Sequence, residues 1–198
     1  MKKVLKVAIC LFFAQLNSAM SQDVKPLYEG TIPNYISGPN VQKGEVTGGM
    51  LRISNVTEPT YTFFEAKGGA IRKPCVVVCP GGAYRILAST HEGTDIAKKL
   101  NELGIHALVL YYRLPDSTRQ VDRRIAPLQD AQQAIRVARQ QAAGWNVDVN
   151  KIGVMGFSAG GHLAASAATH FDVDYTKQND GVNLRPDFQI LIYPVITF

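Results

Sequence analysis

A chain of 198 residues with 46% hydrophobic and 19% charged residues has the composition of one folded domain, which excludes a disordered polymer. Its 17 Gly and 10 Pro follow no period, so collagen-like and low-complexity chains are excluded as well. The formal charge of +5 falls to +2 without Lys2, Lys3 and Lys6, so the basic balance sits at the N-terminus, and no clustered basic stripe suits a nucleic acid.

Residues 1–21 carry those lysines, then the apolar run Val7–Leu16 interrupted only by Gln15, then small residues. This order predicts a secretory signal peptide, with cleavage before Gln22 or, alternatively, after Ala19. The run is too short for ~30 Å of hydrocarbon, which takes about 20 residues, so no stable membrane insertion is expected. Cys10 lies inside the run after Ile9, which does not suit a lipoprotein attachment site. The expected location is secreted or periplasmic.

Residues 22–58 show no sustained periodicity and read as an extended lead-in, and residues 59–198 read as the folded domain. Tyr61–Ala66, Lys67-Gly68-Gly69-Ala70 and Ile71–Cys79 read as strand, tight turn, strand. Cys75-Val76-Val77-Val78-Cys79 is continuously apolar, as in a parallel strand buried on both faces. Its two cysteines lie roughly 13 Å apart at ~3.3 Å per residue. A disulfide needs Cα atoms within about 7 Å, so they cannot pair with each other. No histidine or second cysteine pair stands at ligand spacing, so no metal and no cofactor is expected.

Thr90–Leu103 has Ile96, Ala97 and Leu100 at helical spacing, stopped by Gly104. Ile105–Tyr112 predicts a strand. Ala126–Ala143 predicts a helix with Leu128, Ala131, Ile135, Ala138 and Ala142 on one face and Arg136, Arg139 and Gln140 elsewhere. Ile152–Phe157 predicts a strand, Ala159–Thr169 a helix of small residues, and Phe188–Val195 a last strand. Strands alternating with helices define an α/β class with a doubly wound, mainly parallel sheet.

Gly156-Phe157-Ser158-Ala159-Gly160 fits G-x-S-x-G between a strand and a helix, the setting of a nucleophile elbow. The serine there occupies a strained turn, and the two glycines let neighbouring backbone approach. Ser158 is therefore the candidate nucleophile. The other reading is a glycine-rich turn with a helix-capping serine. Cys79-Pro80-Gly81-Gly82-Ala83-Tyr84 follows the buried strand directly. Backbone N–H groups of Gly82 and Ala83, with that of Ala159, are the candidate oxyanion donors. Which of Gly81, Gly82 and Ala83 donate stays open, as does an ordinary Pro-Gly turn.

The segments PGGAY and GFSAGGHLA, with HEG at His91–Gly93, YRLP at Tyr112–Pro115 and YPVI at Tyr193–Ile196, resemble the α/β-hydrolase esterases. More closely, the chain resembles their secreted acetylxylan and feruloyl esterase-like branch, from about Leu51 onward. The resemblance implies an α/β-hydrolase fold, a serine esterase with Ser158 as nucleophile, and an oxyanion hole in the 80–84 loop. The implied substrates are short acyl esters on plant-cell-wall sugars.

That family's triad runs Ser, then Asp or Glu, then His. After Ser158 come only His162 and His170, both before the last strand, and Asp172, Asp174, Asp180 and Asp187 are followed by no histidine. The expectation is a C-terminally incomplete hydrolase domain without its triad acid and histidine, nearly inactive alone. Two further readings stand beside it: a serine peptidase or lactone hydrolase of the same fold, and a non-catalytic carbohydrate-binding module. Oligomeric state is not legible.

Six further positions carry expectations. Arg113 and Asp130 would either pair beneath the oxyanion loop or stand as two solvated charges. His91 and Glu92 would line the rim of the site or, on the preferred reading, sit in the first turn of the next helix. His106 reads as structural. Tyr84 would close an acyl pocket or pack in the core.

Overall fold

The computed structural model describes residues 23–69 and 71–196. The signal-peptide expectation therefore lies outside the described residues. In chain order the elements are β1 (Val24–Pro26), β2 (Lys43–Thr47), β3 (Met50–Ser54), β4 (Thr60–Phe64), β5 (Lys73–Cys79) and β6 (Ile86–Ala88). A π-helical turn (Thr90–Thr94) then leads into α1 (Asp95–Glu102), followed by β7 (His106–Tyr111), α2 (Ala126–Gln140), β8 (Val147–Phe157), α3 (Ser158–Thr169) and β9 (Phe188–Ile192).

Six strands form the main sheet in the order β1-β4-β7-β5-β8-β9. β7, β5, β8 and β9 run parallel, and β4 and β1 complete the other edge antiparallel. The centre is apolar: Cys75 to Cys79 and all of β7 are buried. Such strands need cover on both faces. The chain steps from β5 to β7 in one direction and from β7 through β8 to β9 in the other. Right-handed crossovers then place α1 on one face and α2 and α3 on the other, which is a doubly wound sheet.

Two sequence expectations are corrected. β4 and β5 do not form a hairpin, because β7 lies between them. Gly68 and Gly69 turn the chain with φ of 81° and 85°. The fully buried β7 then takes the place beside β5, and partly buried β4 pairs with β7 instead. The lead-in is also more than a covering. Leu27, Tyr28, Ile53 and Val56 enter the core, and β2 and β3 join β6 in a second, antiparallel three-stranded sheet. Among the described residues no helix is long and apolar enough to cross a membrane.

Candidate active site

β5 and β8 are neighbours at the switch point of the sheet, where ligands of open α/β folds bind. Their registers align Cys79 with Gly156, so the loops that follow them start side by side. Phe157 is extended (φ −119°, ψ 134°), and Ser158 then turns to φ 49° and opens α3. A non-glycine residue at positive φ is a strained conformation that persists where the surroundings enforce it. Those surroundings are tight. A Cβ on Gly156 would stand 2.0 Å from the Gly160 carbonyl oxygen, and one on Gly160 would stand 2.1 Å from the Cys79 carbonyl oxygen. The two glycines let β5, β8 and α3 meet at the serine.

The loop after β5 is turned by three successive positive φ values: 135° at Gly82, 54° at Ala83 and 55° at Tyr84. It is held from both sides. The Gly82 carbonyl accepts from the N–H groups of Arg85 and Ile86, the Gly81 carbonyl accepts from Ala88, and the buried Tyr112 hydroxyl donates to the Pro80 carbonyl at 2.7 Å. The Gly81 N–H donates to Glu92 Oε2 at 2.7 Å. Among the described residues no acceptor takes the N–H groups of Gly82 and Ala83. Gly82, Ala83 and Ser158 line one cavity of about 700 Å³. Ala159, in the first turn of α3, has one of the N–H groups that a helix leaves without an intrahelical acceptor. The cavity is also lined by Glu45, Arg52 and Arg85 from around the small sheet, by Ile86 and Ala88 of β6, and by His91 and Tyr193.

The histidines do not complete a relay at Ser158. Among the described residues no histidine or carboxylate hydrogen-bonds its hydroxyl. His162 Nδ1 meets the Tyr84 hydroxyl at 2.9 Å, and burial lowers its pKa. It lines a separate cavity of about 600 Å³ with Tyr84 and His170. Ala83 lines both cavities, whereas Tyr84, part buried, lines the second only, and burial raises its phenol pKa. His106 is buried at the start of β7. His91 lines the Ser158 cavity, with Nε2 3.8 Å from Glu92 Oε1. Asp174 and Asp180 are engaged by Arg136, and Asp187 by Arg139 and the Ile152 N–H.

Both sequence readings of Glu92 hold: it sits in the first turn of the π-helical segment and lines the Ser158 cavity, 9% exposed. What sequence reasoning missed is its partners. Glu92 Oε1 accepts from the Tyr193 hydroxyl at 2.6 Å. The sequence placed Glu92 near the loop after β5, but no local signal pointed at its bonds to the Gly81 N–H, eleven residues back, and to Tyr193. Cys75 and Cys79 are free and buried, and burial pushes both thiols up to about 12. Among the described residues no group of three His, Cys, Asp or Glu side chains could hold a metal ion.

A strained serine at a strand-to-helix turn, facing free N–H groups at the switch point of a mainly parallel sheet, defines the α/β-hydrolase class. The chain belongs to the BD-FAE family, whose model matches residues 63–191. It is 40% identical over 122 residues to an acetylxylan esterase of Xylanibacter ruminicola, covering 62% of this chain and 22% of that protein. It is 33% identical over 201 residues to endo-1,4-beta-xylanase B of Butyrivibrio fibrisolvens, covering 94% of this chain and 31% of that protein. The chain thus spans less than a third of either curated relative. Its fold superimposes on a crystal structure of an acetyl ester-xyloside bifunctional hydrolase from Caldicellulosiruptor lactoaceticus. That match has a TM-score of 0.67 and 36% identity, and covers 88% of this chain and 58% of the other. An esterase from Thermogutta terrifontis shares the fold at a TM-score of 0.61 and 23% identity, over 84% of this chain and 57% of that one.

Proposed function

We propose that the protein is a serine carboxylic ester hydrolase that removes acetyl or other short acyl groups from plant-cell-wall polysaccharides, xylan foremost. The observation that carries this reading is the pairing of Ser158 at φ 49° with the unengaged N–H groups of Gly82 and Ala83 in one cavity. Ser158 Oγ attacks the ester carbonyl carbon, forming the acyl-enzyme bond as the sugar oxygen leaves with a proton. The carbonyl oxygen gathers negative charge during the attack, and the N–H groups of Gly82, Ala83 and Ala159 offset it. Water then releases the acid and restores the hydroxyl. The charged side chains of Glu45, Arg52 and Arg85 in the cavity offer hydrogen-bond partners to a sugar leaving group. The acetylxylan esterase and the bifunctional hydrolase named above support this substrate class. Export through a leader over residues 1–21 would place the enzyme with such a polymer.

The described residues give Ser158 an oxyanion site but no base, and a serine lacking its histidine loses several orders of magnitude in rate. The test compares acetate release from acetylated xylan by the natively produced protein and by its Ser158→Ala variant. The reading expects turnover in the first only. Equal rates would overturn it.

A further inference from the structure

Glu92 joins three elements that meet around Ser158. It projects from the π-helical turn, which leans on the base of the oxyanion loop: a Cβ on Gly93 would contact Pro80 Cγ at 3.4 Å and Val109 Cγ1 at 3.2 Å. One carboxylate oxygen takes the buried Gly81 N–H at 2.7 Å, and the other takes the Tyr193 hydroxyl at 2.6 Å. The carboxylate also lies close to the nucleophile. The position that a Gly81 Cβ would occupy is 2.7 Å from Glu92 Oε2 and 3.1 Å from Ser158 Cβ.

Tyr193 is an unusual anchor. It follows β9 at φ 36°, the residue is 62% exposed, and its ring packs on Phe157 with centroids 5.9 Å apart. Two residues on, the Val195 N–H donates to the Ser158 carbonyl at 3.1 Å. The Glu92–Tyr193 bond therefore ties the oxyanion loop to a segment that also grips the nucleophile's own backbone.

Two physical consequences follow. Without Glu92 the Gly81 N–H would be a buried donor with no partner, and the loop would relax to satisfy it. A carboxylate is a stronger acceptor than a carbonyl, so this bond fixes the direction in which the loop leaves β5. Beyond that fixed start the N–H groups of Gly82 and Ala83 are taken neither by Glu92 nor by another acceptor among the described residues. The two donors on the carboxylate also offset a negative charge that would otherwise oppose an oxyanion nearby.

We propose that Glu92, anchored by Tyr193, is a positioning residue that holds the oxyanion loop so that Gly82 and Ala83 aim their N–H groups at the reacting carbonyl oxygen. This inference rests on the esterase reading above. Removing an oxyanion donor outright costs about 10²–10³ in kcat, and misdirecting a loop that keeps its donors costs less. In the natively produced protein, Glu92→Gln should lower kcat for p-nitrophenyl acetate about tenfold, counted per molecule titrated at Ser158 by an organophosphate, with KM within about twofold. Tyr193→Phe keeps the ring and should lower kcat about threefold, and it carries the test by itself should Glu92→Gln fail to fold. The double variant should be no slower than Glu92→Gln within about twofold, since the tie is already cut. A boronic acid that mimics the tetrahedral state should weaken in step with kcat/KM.

A merely structural brace would lower the melting temperature and the titratable fraction but leave kcat per titrated site at the parent value, and that result would overturn the proposal. Losses that multiply in the double variant would overturn the coupling to Tyr193. If the parent is no faster than Ser158→Ala, the esterase reading itself fails and takes this inference with it. A parent that is active beside an unimpaired Glu92→Gln sinks the inference alone.

Discussion

The Arg113 guanidinium and the Asp130 carboxylate meet at 2.7 Å, Nη2 to Oδ1, with neither side chain exposed to solvent. Asp130 also accepts the Arg113 backbone N–H at 2.8 Å and the Tyr28 hydroxyl at 3.0 Å, and Arg113 Nη1 donates to the Pro33 carbonyl at 2.7 Å. The pair thus links the end of β7, the middle of α2 and the segment before β2. Of the two readings that the sequence leaves open, pairing is the one found. Removing one partner of a buried pair strands the other charge, at a cost of about 3–5 kcal/mol. Asp130→Asn should lose stability of that order in urea unfolding, with a matching fall in Tm. An unchanged unfolding midpoint would mean that the pair contributes nothing net.

Gly160 sets the closeness of α3 to β5. Its missing Cβ would lie 2.1 Å from the Cys79 carbonyl oxygen and 2.5 Å from that of Pro80, and both are backbone atoms that cannot swing aside. Gly160→Ala must push α3 away from the oxyanion loop. Overpacking costs about 1–3 kcal/mol where side chains can yield, and here the cost should reach or exceed the upper end. Ester turnover should fall by at least about 10²-fold, because a shift of 1 Å in a catalytic group costs that much. Near-parental turnover by pure, folded Gly160→Ala protein would show that the elbow tolerates the shift.

What the sequence revealed was local. Gly156, Ser158 and Gly160 lie within five residues, and the backbone strain that they need is encoded there. Glu92 and Tyr193 are 101 residues apart, and their bond exists only because β9 lies beside β8. Arg136 shows the same limit. Helical periodicity sets it apart from the apolar face of α2, yet it is 1% exposed, because the segment after α3 folds over it and supplies Asp174 and Asp180. β4, β5, β7, β8 and β9 were legible from apolar runs, whereas β1, β2, β3 and β6, short or exposed, and the strand order were not. Whether β4 pairs with β5 or β7 depends on which strand competes better for the centre, and a pattern read along the chain does not hold that comparison.

His106 gives the fold a pH dependence near neutrality. Its Nδ1 accepts the Ala66 N–H at 3.0 Å, so that nitrogen must be unprotonated, and its Nε2 is buried without a hydrogen-bond partner among the described residues. Burial, with Lys73 nearby, holds its pKa below the ordinary histidine value. A group that resists protonation when folded binds the proton first in the unfolded chain. Its stabilisation is therefore complete above the unfolded pKa of about 6.5 and declines as pH falls below it. Urea unfolding at pH 7.5 and 5.5 should show a loss on acidification that is smaller in His106→Gln. His162 is shifted in the same direction and contributes equally to both proteins, so the difference between them isolates His106. Equal losses would clear His106 of the effect.

A second titration lies at lower pH. Burial alone would raise the Asp174 pKa, but the Thr176 hydroxyl, the Asn179 N–H and the Arg136 guanidinium bring it down to about 2. Here the sign is that of a depressed acid: the unfolded carboxyl protonates near 3.9, while the folded one stays charged. The stabilisation is present above about pH 4 and disappears as pH falls toward 2. Asp174→Asn should be less stable than the parent at pH 6, because it leaves Arg136 with Asp180 alone. Its Tm should then fall less steeply between pH 4 and 2.5, so that the two curves converge. Curves that stay parallel through that window would mean that Asp174 is not the group that loosens the segment after α3 in acid.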